Sequence, residues 1–132
     1  MTVGIAIIAH SQVLADGVAE VAGQMAHGEV TITAAGGTDS GVLGTSLEKT
    51  LRALEAADSG DGVLVLVDLG SAAMMTQTAL EQLPDERRAR IILSDAALVE
   101  GAVMAAIEAS MVSDLAKVAA TAKEATGMDK GV

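Results

Sequence analysis

Two histidines and no cysteine limit the reactive side chains of this 132-residue chain. Thiol catalysis, disulfides and cysteine metal sites are excluded, and two imidazoles alone make a poor zinc site. His10 ends the uncharged stretch VGIAIIA at residues 3–9. Asp68 closes a second uncharged run, VLVLV at residues 63–67. An imidazole beside a carboxylate keeps one ring nitrogen protonated and leaves the other to attack or to take a phosphoryl group. Residues 35–46, AGGTDSGVLGTS, carry glycine at 36, 37, 41 and 44. The backbone amides of Gly36, Gly37 and Thr38, with the Thr38 hydroxyl, suit the oxygens of a phosphate. His10, Ser46 and Ser71 each precede an apolar-periodic segment. Helices starting there aim their positive ends and first-turn amides at one place.

Plainer readings compete at each position. A strand-end histidine also serves as a capping or packing residue, Asp68 as a turn residue, and glycines as turn formers. His27 lies near a helix end, where a histidine suits the dipole, and is read as structural. Glu100 is a favourable first-turn charge, and the seven methionines are expected to fill the core. The loop lacks the Gly-Lys-Ser/Thr ending of a Walker A sequence, and neither GxGxxG after the first strand nor GxSxG occurs.

The groups must be held by elements, and the patterning supplies them. Strands are expected at Val3–Ala9, Val30–Ala34, Val63–Val67 and Arg90–Leu93. Helices are expected over Gln12–Ala26, from Leu47 with a stripe of Leu47, Leu51 and Leu54, and from Ser71 as cap through Gln82. Two more follow, over 98–110 with Val99, Val103 and Ile107 in line, and over 115–125. Uncharged strands alternating with amphipathic helices predict a single α/β domain over residues 1–132, with a mostly parallel sheet covered on both faces. Ligands of such sheets bind beyond the carboxyl ends of the strands, at the switch in strand order. With four strands ordered 2-1-3-4, His10 and Asp68 emerge side by side. The last residues, GMDKGV, are expected to fray.

Composition narrows the partners. The net charge is −10, from 18 acidic residues against 8 Lys plus Arg, and no Phe, Tyr or Trp is present. Such a chain repels nucleic-acid backbones and has no ring to stack on bases. A basic protein partner is favoured. No apolar run approaches the ~20 residues that span a bilayer, and the N-terminus lacks the basic region of a signal peptide. A soluble, cytoplasmic protein without membrane insertion is expected.

IAHSQVLADGV, AGGTDSGVLGTSLEKT, VLVLVDLGSA and ALVEGAV, in this order over nearly the whole chain, resemble the phosphotransfer subunits of phosphoenolpyruvate-dependent dihydroxyacetone kinases, the DhaM type. That family is related to the mannose-type enzyme IIA of the phosphotransferase system. The resemblance implies that His10 is the phosphorylated histidine, through Nε2, and that Asp68 orients its ring. It puts Gly37, Thr38 and Ser71 in phosphate-contacting loops, with no metal. It implies a phosphotransferase that takes a phosphoryl group from HPr and passes it to ADP. The ADP is held by the nucleotide-binding kinase subunit, so no cofactor is bound tightly here. It also implies a homodimer. Met75 stands where the family usually has Asn, and Ala97 where it has Pro, which bears on partner fit. The alternative is a sugar-uptake enzyme IIA, which more often has His-Gly and GGSP where this chain has His10-Ser11 and LGSA. A receiver-like module with Asp68 as acceptor would need an acidic pair where His10-Ser11 stands.

Overall fold

The computed structural model describes residues 2–132. Four strands, β1 (Gly4–Ala9), β2 (Ile32–Gly36), β3 (Val63–Val67) and β4 (Ile91–Ser94), alternate with helices. These are α1 (Gln12–Met25), α2 (Leu47–Ala57), α3 (Gly70–Glu81), α4 (Asp85–Arg88), α5 (Leu98–Ala109) and α6 (Leu115–Glu124). The sheet is parallel throughout, in the order β2-β1-β3-β4. This is the single α/β domain and strand order that the patterning predicts.

The run before His10 is uncharged at every position because both faces of the sheet are covered. Ile5, Ile7 and Ala9 pack with Ala15, Val18 and Ala22 of α1, the alanines of α5, and Val118 and Ala122 of α6. Ala6 and Ile8 point the other way, against Ala53, Leu54 and Ala57 of α2 and Ala72 and Ala79 of α3. Ile5, Ile7 and Ile8 are at most 1% exposed. Full burial of each such side chain is worth roughly 1.5–3 kcal/mol. β1 therefore ends in a backbone that packing holds from both sides, and His10 follows directly.

Four expectations are corrected. The second strand runs over Ile32–Gly36 rather than Val30–Ala34. The β-branched alternation spans only residues 30–34 and does not mark the ends; the pairing of Ile5 with Ile32 and Ala9 with Gly36 does. A short helix, α4, follows Pro84, too brief for its periodicity to register in sequence. In α5 the expected stripe lies at the margin of the buried face, with Val103 packed against the core only in part. The helix buries Gly101, Ala102, Ala105, Ala106 and Ala109, while Val99 stays 46% exposed. A Cβ on Gly101 would lie 3.0 Å from the Ala96 Cβ and 3.3 Å from Leu66 Cδ2. The helix is thus too close to the sheet for large residues on that face. Met25, Met74, Met111 and Met128 are exposed rather than core filler, because Ile, Leu and Val of the strands fill the thin space that alanine-rich helices leave.

Candidate phosphoryl-transfer site

Residues 8 of β1 and 67 of β3 are register partners, so the chain leaves both strands side by side. The Asp68 carboxylate grips His10 twice. Oδ2 accepts the His10 backbone N–H at 3.0 Å, and Oδ1 lies 2.9 Å from the ring Nδ1. Oδ1 also accepts the Leu69 N–H at 2.8 Å. Burial pushes this carboxyl up, but the amide and ring of His10, with the Leu69 amide, outweigh it and hold Asp68 below the usual carboxylate range. An ionised carboxylate only accepts hydrogen bonds, so Nδ1 carries a proton, and in the neutral ring Nε2 then keeps its lone pair. The Ser71 hydroxyl is hydrogen-bonded to Nε2 and is the donor in that tautomer. The His10 side chain is 24% exposed and that of Asp68 12%. The ring is therefore held from below, with its nucleophilic nitrogen toward solvent.

Ser71 reaches this place by a route that differs from the expectation. It does not cap α3: the cap position is Leu69, with no side-chain cap bond. Ser71 is the second residue of the helix, and its hydroxyl is spent on His10. Ser11 caps α1 through the Leu14 N–H at 3.2 Å, and Ser46 caps α2 through the Lys49 N–H at 3.1 Å. Ser46 also donates to Asp39.

The glycine-rich loop docks on His10 from the β2 side. The Gly44 N–H donates to the His10 carbonyl at 2.9 Å. The Thr38 N–H donates to Val42 O at 2.8 Å, and the Gly36 N–H to Gln12 Oε1 at 3.1 Å. Two of the three amides read as phosphate donors are thus engaged within the protein. Gly37, between them, is buried with φ +76. The Thr38 hydroxyl pairs with Ser40 Oγ at 3.1 Å. Beyond Asp68, an open depression of about 410 Å³ lies between the start of α3 and Asp95–Leu98. Large apolar side chains stand in solvent on the segments that border the site: Val13, Leu43, Leu69 and Met74 are all more than 60% exposed.

His27 is exposed at the end of α1, with φ +57, and its N–H donates to Gln24 O at 3.0 Å. Glu100 pairs with Lys130 at 2.7 Å, which ties down a tail that the sequence reads as frayed. Two residues that touch the site's backbone, Gln12 and Lys49, lie inside the stretches that carry the resemblance, but their type and spacing give them no role in the sequence. Their part depends on where β2 ends.

The chain matches the model of the phosphotransferase-system fructose IIA component family over residues 4–119. It is 39% identical over 119 residues to the phosphoryl donor subunit DhaM of the PEP-dependent dihydroxyacetone kinase of Escherichia coli K12. The match covers 88% of this chain and 25% of that protein. It is 38% identical over 108 residues to the corresponding subunit of dihydroxyacetone kinase 1 of Listeria innocua, with 82% of each covered. A crystal structure of a protein of unknown function superposes with a TM-score of 0.87 at 37% identity, over 100% of this chain and 99% of the other. The chain spans about a quarter of the length of the Escherichia and Providencia relatives and most of the Listeria ones. The matched region begins at the first residue of β1 and takes in His10, Asp68, Ser71 and the glycine-rich loop: the chain belongs to the IIA component family of the phosphotransferase system.

Proposed function

We propose that this chain is the phosphoryl donor domain of a PEP-dependent dihydroxyacetone kinase, with His10 as the carrier. One observation carries the reading: Asp68 pins the Nδ1 side of His10, while Nε2 faces outward beside a hydroxyl. The Nε2 lone pair attacks the phosphorus of the phosphohistidine on HPr. A P–Nε2 bond forms as the bond to the HPr ring nitrogen breaks. Asp68 stabilises the positive charge that the His10 ring gains. Ser71 releases Nε2 and donates to a phosphoryl oxygen, and the Thr38 hydroxyl, beside Gly37, turns from Ser40 to another. In the second step the terminal oxygen of ADP, bound on the nucleotide-binding kinase subunit, attacks the same phosphorus. The P–N bond breaks, ATP forms, and Nε2 recovers its lone pair. Few cations approach the phosphoryl position in this scheme, which suits a group that must leave again.

This reading places the protein in the cytoplasm, and among the described residues no helix is long and apolar enough to cross a membrane. It also takes the chain as a homodimer. The outward apolar residues of α1, Leu14, Val21 and Met25, with Val99 of α5 and Met111 just after it, offer a surface for a second copy. Sedimentation at micromolar concentration tests this, and a monomer would remove that element of the reading.

The family description names fructose, so a sugar-transporter IIB component is the competing acceptor. The deciding experiment incubates the protein with enzyme I, HPr and phosphoenolpyruvate. An acid-labile, base-stable phosphoprotein is expected, absent in His10→Ala. ADP-loaded kinase subunit should then discharge it, and a sugar IIB component should not. An unlabelled wild type, or equal labelling of His10→Ala, would overturn the proposal.

A further inference from the structure

We propose that the groove beside Asp68, with Asp95 on its rim, docks the phosphoryl donor protein by seating an arginine or lysine of that partner; the inference rests on the reading of His10 given above. Two open depressions, of about 410 and 350 Å³, share Val67, Ala73 and Asp95 and so form one groove. It runs from Asp68 and Leu69 along the carboxyl end of β4 to Lys123. Val67, Ala73, Leu93 and Leu98, all half-buried, make its floor and walls apolar. Leu69, 62% exposed, extends that surface toward His10. Asp95 is the exposed carboxylate at the rim, and the backbone around it is anchored. The buried Ser94 hydroxyl accepts the Ala96 N–H at 3.1 Å, and the Ala97 N–H donates to Thr126 Oγ1 at 3.1 Å. An apolar trough with a fixed carboxylate at its edge suits a side chain with a methylene stem and a cationic head.

Charge selects the occupant. The chain carries a net charge of −10, so a basic surface is drawn to it. An acceptor brings the polyphosphate of a nucleotide, which a rim carboxylate repels. A donor brings one phosphoryl group to Nε2 and leaves the rest of its surface free to be basic. The groove adjoins the reaction site through Asp68, so a protein presenting its phosphorus to Nε2 stands beside it. The neighbouring acids are engaged, Asp68 by His10 and Glu100 by Lys130. Asp95 is paired with Lys123, whose Nζ lies 3.4 Å from Oδ1, but the two side chains are 72% and 79% exposed. A pair so fully in solvent contributes little. Its exchange for a partner cation, whose stem leaves water in the groove, is therefore favoured. Lys123 competes with the donor for Asp95, so removing one member of the pair or the other acts on docking in opposite directions.

The test measures transfer from phospho-HPr at varied concentration, which gives kcat and KM separately. Asp95→Asn should raise KM about 5-fold with kcat retained, the scale of one exposed charge pair. Asp95→Glu, which keeps the charge, should return KM most of the way. Lys123→Met should lower KM about 2-fold. Lys117→Met is the control, because it changes the net charge equally at the far end of α6. There Leu115 lies against Gly62, just before β3 begins, at the opposite edge of the sheet. Its KM should stay near the wild-type value, and high salt should shrink the differences among the variants. A wild-type KM in Asp95→Asn, or equal falls in both lysine variants, would overturn the proposal. So would slower discharge to the ADP-loaded kinase subunit with KM for phospho-HPr unmoved, which assigns the groove to the acceptor. If the wild type accepts no phosphoryl group, the functional reading fails by itself. Amide shifts of Ala73 and Asp95 on adding unphosphorylated HPr then decide the docking, and their absence rejects it.

Discussion

Asp58 and Asp68 stand at opposite ends of β3, and both carboxyls are held below their ordinary range. The means differ. Burial pushes Asp58 up, and Arg90, the Gly60 amide and Arg87 together pull it down further. Arg90 Nη2 lies 2.8 Å and Arg87 Nε 3.7 Å from Asp58 Oδ2, and the Asp58 side chain is 2% exposed. Two permanent cations thus tie the end of α2 to α4 and the start of β4. At the other end, Asp68 is paired with an imidazole and two amides, and no guanidinium takes part. A guanidinium partner cannot release its proton, so the Asp58 cluster is a fixed strut. An imidazole can change charge, so the Asp68 pair can respond to a group arriving at Nε2. The difference between the two ends is the partner, not the carboxylate.

Substituting each carboxylate by its amide breaks the comparison. Asp68→Asn should cut phosphoryl acceptance on the order of 10²-fold or more, because the tautomer of His10 is no longer imposed and its charge is unsupported. Thermal stability should fall by less than in Asp58→Asn, because the Asp68 side chain is 12% exposed against 2% for Asp58. Rapid-quench transfer from phospho-HPr checks the first point and calorimetry the second. Asp58→Asn should do the reverse. Removing the charge from a buried pair leaves guanidinium groups without their partner, which costs about 2–3 kcal/mol. Urea unfolding should show this loss, while transfer per folded molecule stays at the wild-type rate.

Acid sharpens the same contrast. Both carboxyls bind protons less readily in the folded state than in the unfolded one. Their stabilisation is therefore complete above the ordinary carboxylate pKa, about 4, and is lost as pH falls through the lower folded values. Urea midpoints taken from pH 6 down to pH 2.5 should drop in that window for the wild type. Asp58→Asn should flatten the drop, and Asp68→Asn should flatten it as well, since both shifts have the same sign. The smallest effect is expected at Ser71→Ala. A helix cap replaced by alanine typically costs about 1 kcal/mol. Ser71 is not the cap, so unfolding should move by less than about 0.5 kcal/mol. Transfer should slow by roughly 10-fold, the scale of one lost hydrogen bond to a charged group.

Much of the site was legible before the structure. His10 and Asp68 each end an uncharged run, and a parallel sheet with order 2-1-3-4 leaves them adjacent by topology alone. A cap for α2 at Thr45 or Ser46 was legible too, because capping depends on neighbours three residues away, and the structure selects Ser46. Ser71 illustrates the limit. Its position before an apolar segment suggests a cap, yet its hydroxyl turns to a ring 61 residues earlier in the chain. Gln12 and Lys49 lie further from reach, since their contacts with Gly36 depend on the last residue of β2, which alternation leaves undefined.

The amino-acid sequence by itself determined the class of fold, the parallel sheet and the pair of groups at its carboxyl edge. These follow from short-range hydrophobic patterning and from the few ways that such strands can be ordered. Tertiary structure alone decided which face of α5 meets the sheet and which hydroxyl reaches Nε2. In α5 small and large apolar residues are equally periodic, and only the close approach of the helix to Leu66 selects glycine and alanine for the inside. Hydrogen bonds across tens of residues depend on distances of a few tenths of an ångström, and packing sets those distances where periodicity cannot.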